Sequence, residues 1–157
     1  MKQRKPAHSY FSSEINHKSP TSPRFMGKKF FVKIVSNPDV DMRKCIVGLA
    51  CAAQAIDDGH ALSMFYAADG VKMLKSDYVN KIDESGMLPK GMVTGMISKI
   101  TNGAVDIFSS TGSLAANGVN KENAKSLLLD GFEDWMTWSG PPGVIELSAK
   151  SDVQLVY

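Results

Sequence analysis

The sequence predicts a three-layer α/β/α domain built on a mostly parallel sheet of about five strands. Two observations carry that prediction. Short β-branched or aromatic runs alternate with longer stretches of helical periodicity from residue 29 to the last residue, the pattern of repeated β–α units. In addition, the apolar run 104–108 breaks abruptly into Ser109, Ser110, Thr111, Gly112 and Ser113, which reads as a buried strand turning into a helix. In open α/β sheets such junctions, at the carboxyl ends of strands, are where ligands and reactive groups sit.

The elements follow in order. Residues 29–35 (KFFVKIV) make the first strand. Asn37 is expected to cap a helix with Pro38 at its first position. Met42, Cys45, Ile46, Leu49, Ala52, Ala53 and Ile56 recur at helical spacing until Gly59 stops the helix. Val47, Ala50, Cys51 and Ala55 make its opposite side apolar too, so burial on two sides is expected, by the sheet and by another subunit. Residues 61–67 form the second strand, followed by a polar, Lys-rich connection. After Pro89, a helical stretch through Met92, Met96 and Ile100 ends at Asn102-Gly103. Residues 104–108 are the third strand, and 121–129 a helix capped by Asn120. Residues 132–138 are read as a short strand, 141–150 as the last helix and 152–157 as the final strand.

Composition narrows the function classes. The chain has 157 residues, 43% of them hydrophobic and 22% charged, as in an ordinary globule. Residues 1–26 carry Lys2, Arg4, Lys5, Lys18 and Arg24 against Glu14 alone. That net charge of +4 leaves the remainder negative, so the body has no basic stripe for nucleic acid. Residues 1–27 read as a disordered basic tail and 28–157 as the folded domain; the alternative for the tail is an organellar transit peptide. The longest apolar run, 45–53, is far short of the roughly 20 residues that span a bilayer, so no membrane partner is expected. Cys45 and Cys51 are a poor disulfide framework, which favours a reducing, cytoplasmic setting.

The chemistry-bearing residues are sparse. His60 is the single histidine of the body and stands at the amino end of the second strand. A strand of about six residues at ~3.3 Å each places it roughly 20 Å from Ser110, so no serine nucleophile has a base. No cluster has metal-ligand spacing, and no cofactor is expected. Cys45 and Cys51 are about 240° apart on a helix and cannot act together. Cys45 reads as a core residue, with a lowered-pKa thiol near the helix start as the alternative. The turn 109–113 reads either as an anion or small-ligand cradle or as a plain helix cap. Asn37, Asp69, Ser109, Ser110, Gly112 and Trp138 are the candidate binding residues, all expected where strands end.

Residues 28–157 resemble the DsrE/DsrF-like family of small sulfur-relay proteins. The resemblance rests on the small-residue first helix ending in Asp58-Gly59-His60 and on Tyr66-Ala67-Ala68-Asp69-Gly70-Val71 after the second strand. It rests further on the small-residue turn ending in Ala116-Asn117-Gly118 and on the closing Asp152-Val-Gln-Leu-Val-Tyr157. The resemblance implies a homo-oligomer, a trimer or hexamer. It also implies a persulfide-carrying cysteine just after the third strand, and that position falls on Ser110 within one residue. A serine hydroxyl cannot carry sulfur. The resemblance therefore implies a non-catalytic binding or scaffold member of a sulfur-related system. Two alternatives stand beside it: a sulfurtransferase using Cys45, and a module binding a small anionic or sulfur-containing ligand at the turn 109–113.

Overall fold

The computed structural model describes residues 27–157; the tail expected over residues 1–27 lies, but for Gly27, outside them. Five strands, β1 (Lys29–Ile34), β2 (Ala61–Tyr66), β3 (Asp106–Ser110), β4 (Thr137–Ser139) and β5 (Val153–Val156), form one sheet in the order β4-β3-β2-β1-β5. Every pairing is parallel. The helices are α1 (Met42–Asp57), α2 (Ser76–Glu84), α3 (Met92–Gly103), α4 (Thr111–Ala116), α5 (Ala124–Leu127), α6 (Phe132–Trp135) and α7 (Pro141–Lys150), with a 3₁₀ helix over Ala68–Leu74.

Strand order explains the layering. The chain steps from β1 to β4 in one direction and then returns past β1 to β5. Right-handed crossovers in opposite directions send their helices to opposite faces. The larger core accordingly gathers Val32, Ile34, Leu62, Met64 and Tyr66 of the sheet under Leu49 of α1, Ile97 of α3 and Leu114 of α4. The other face carries α7 on a small core of Phe31, Phe65 and Leu147, with Phe108 and Val144 packed against it. Gly143 makes that approach close, since a Cβ there would collide with Ser139 Oγ and stand 2.9 Å from the Phe108 ring.

Several elements differ from the sequence reading. The first helix is capped by Asp41, whose side chain accepts from Lys44 N, and not by Asn37. Asn37 instead closes a turn, its carbonyl accepting from Val40 N and Asp41 N. The Lys-rich connection contains α2, which buries Val79, Ile82 and Asp83. The third strand lies two residues later than expected, because Val105 is 69% exposed and the buried positions are Ile107 and Ser109. The helix expected over 121–129 is the short α5, because Lys75 and Leu128 bridge and Leu129 N donates to Leu74 O, which holds the chain extended there. Residues 132–138 divide into α6 and β4. α1 packs on α3, where Gly103 lies close against Ile56, while on its second apolar side Val47 is 49% exposed and Cys51 lies against Tyr157.

Candidate functional site at the carboxyl edge of the sheet

The connection after β3 leads to α4 on the main-core face, whereas the one after β4 leads to α7 on the other. Adjacent strands whose connections diverge in this way open a crevice at their carboxyl ends, the usual ligand position in α/β sheets. A cavity of about 280 Å³ lies at this edge, lined by Phe65, Ala67, Ser110, Gly140, Pro141, Val144 and Ile145. Other cavities lie elsewhere, two of them of slightly smaller volume. One of about 260 Å³ is at the amino ends of β1 and β2, and one of about 230 Å³ lies between α2 and Met42.

Strand alternation sorts the hydroxyls. Ser109 pairs across the sheet with Tyr66 and Trp138, and faces the main core. It is fully buried and its Oγ finds no hydrogen-bond partner among the described residues. Ser110, one residue on, points to the other face and into the cavity. Its Oγ caps α4 by accepting from Ser113 N at 3.1 Å. Ser113 Oγ in turn accepts from Ala68 N at 2.8 Å, pinning a residue held at φ 49°. Gly112 stands in α4, and Trp138 is half-buried beside the main core.

Asn37 and Asp69 belong to a separate polar lattice. Asn37 Oδ1 accepts from Asp39 N and from Lys72 Nζ. Lys72 also pairs with Asp39 at 2.9 Å, and Tyr78 donates to the same carboxylate. The Lys72 and Tyr78 hydrogen bonds hold the Asp39 carboxyl below its ordinary value. Asp39 reciprocally raises Lys72, and burial followed by the Asp39 bond raises Tyr78. Asp69 accepts from Asn117 Nδ2 at 3.3 Å, tying the 3₁₀ helix to α4. The structure thus joins Ser110 to Ala67 and the start of α7, and keeps Asn37, Asp69 and Trp138 away from that cavity. Lys72 and Tyr78 were missed in the sequence because each lies in a segment read as connection.

The thiols are elsewhere. Cys45 is fully buried on the main-core side, its Sγ donating to Ser36 O at 3.4 Å. Burial, and then the nearby Asp41 carboxylate, push its thiol up to about 11. Cys51 accepts from Tyr157 OH at 3.3 Å. His60 Nδ1 accepts from Lys28 N at the amino edge of the sheet, the end opposite Ser110. Among the described residues no group of three or more His, Cys, Asp or Glu is arranged to hold a metal ion, and no helix is long and apolar enough to cross a membrane.

No family model and no curated protein matches the chain. Among solved structures it is similar to the YchN protein from E. coli, with a TM-score of 0.55 and 14% sequence identity over 84% of this chain and 100% of YchN. At that identity the likeness is one of fold.

Proposed function

We propose that this chain is a DsrE-like, self-associating binding protein of a sulfur-related system that works without a reactive thiol. It would take a small ligand at the carboxyl edge beside Ser110. The observation that carries this reading is chemical. The position that the resemblance gives to the reactive cysteine holds a hydroxyl at a cavity, and Cys45 lies fully buried under the other face of the sheet. The fold likeness to YchN, itself a DsrE/DsrF-like protein, supports the architecture of the proposal. A thiol with its pKa raised to about 11 is almost wholly protonated at neutral pH, which argues against sulfur transfer by Cys45.

Treatment of the folded protein with inorganic polysulfide, followed by mass spectrometry, tests the thiol-free part. No persulfide is expected on Cys45; stoichiometric labelling there would move the function to sulfur transfer. A thermal-shift screen tests the binding part, since a ligand at a hundred times its Kd stabilises by about 2.7 kcal/mol.

A further inference from the structure

The cavity beside Ser110 is poor in polar side chains. Phe65, Ala67, Pro141, Val144 and Ile145 give it carbon walls, and among the described residues Ser110 is the only lining one with a polar side chain. A helix start beside a cavity normally offers free N–H groups, but the start of α7 does not. Pro141 and Pro142 have no N–H, and the N–H groups of Gly143 and Val144 both donate to Gly140 O, at 3.0 and 3.2 Å. On the β3 side, Ser113 N–H is taken up by Ser110 Oγ. The charge of Lys72 is matched by Asp39. An anion entering here would lose its water and find no cationic side chain in the lining among the described residues, a costly transfer. Two donors at the lining stay unspent: the Gly140 N–H, which has no acceptor among the described hydrogen bonds, and the Ser110 hydroxyl. Ser110 Oγ accepts from Ser113 N–H, and its own O–H has no acceptor among the described hydrogen bonds.

We infer that this cavity selects a small neutral ligand, an aromatic or aliphatic body carrying a single carbonyl or ether oxygen. The body packs on Phe65, Val144 and Ile145, and the oxygen accepts from the Ser110 hydroxyl. This inference rests on the binding reading above and narrows its small ligand to a neutral one.

Three probes that share a benzene ring test it in the intact chain: acetophenone, toluene and benzoate, titrated while backbone amide shifts are followed by NMR. Acetophenone should perturb Ala67, Ser110, Gly140, Val144 and Ile145. It should bind about three- to tenfold more tightly than toluene, the range of one neutral hydrogen bond. Benzoate should bind at least about tenfold more weakly than acetophenone, because its charge is unpaired there. Ile145→Glu, at a position 69% exposed and so compatible with folding, should weaken acetophenone. Benzoate binding as tightly as acetophenone at these amides would overturn the ligand class and leave the site standing. Equal binding of acetophenone and toluene would remove the role of Ser110. If none of the three perturbs these amides, the site falls, and the binding reading falls with it.

Discussion

Ser109 and Ser110 are consecutive residues whose side chains leave opposite faces of one strand. Ser109 faces the main core beside Tyr66 and is fully buried, with a hydroxyl that finds no partner among the described residues. Such a group carries a desolvation cost without a compensating bond. Ser109→Ala is therefore expected to leave the unfolding free energy unchanged or raise it by about 1 kcal/mol, read from urea denaturation. A clear loss of stability would mean that the hydroxyl has a partner. The sequence presents 109–113 as one run of small hydroxyl residues, and hydrophobicity cannot tell which serine is core and which is site. Only the register of β3, two residues later than its apolar run suggests, assigns them. Cys45 is the converse case. Its spacing with Leu49 already marks it as core, and it is buried with its thiol pushed up to about 11.

At the scale of elements, α2 and α3 are joined by one carboxylate. Asp83 is 7% exposed and accepts from Val93 N at 2.9 Å, from Thr94 N at 3.0 Å and from Thr94 Oγ1. It caps α3 from a neighbouring helix, where Gly91 offers no side chain to do so. Burial works to raise its pKa, but the hydrogen bonds from Thr94 and the α3 backbone outweigh it and leave the carboxyl below its ordinary 3.8. A carboxylate depressed in the folded state contributes stability in full above its unfolded pKa and loses it as pH falls through that value toward the folded one. Asp83→Asn should lower stability at neutral pH by about 1–3 kcal/mol and flatten the acid limb of the stability curve. An unchanged acid limb would contradict this role. The elements β1, α1, β2, α3, α7 and β5 were legible because each repeats its apolar spacing over turns or alternations. α2 and α6 were not, and α5 was read too long, because their form depends on tertiary bonds. The Asp83 cap is one such bond, and the pairing of Leu74 and Lys75 with Leu128 and Leu129 is another.

At the scale of the molecule, the two faces of the sheet serve different ends. One carries most of the helices and the main core, and the other carries α7 and the cavity. The site's position was legible in the sequence as the carboxyl edge after β3. Its composition was not, because Ala67 and Gly140 reach Ser110 through the β2–β3 and β3–β4 pairings and Ile145 through the packing of α7 on the sheet. Of the seven large apolar side chains exposed among the described residues, Val40, Val47, Met87 and Met92 lie on α1, on α3 or just before them. We expect self-association through this outer helical surface, which leaves the cavity open. Light scattering at micromolar concentration should give a multiple of the 17.0 kDa chain mass; a monomer would contradict it. The central claim is that Ser110 occupies a reactive-cysteine position whose cavity persists without its thiol. The direct measurement is the rate of iodoacetamide alkylation of folded Ser110→Cys, resolved by site with mass spectrometry. The introduced thiol would face the cavity next to the Ser113 N–H, a setting that favours thiolate, whereas Cys45 is buried and Cys51 is bonded by Tyr157. The account predicts that the introduced thiol reacts faster than either native cysteine and accepts sulfane sulfur from a persulfide donor. A rate no greater than that of Cys45 would reduce Ser110 to a helix cap and contradict the claim.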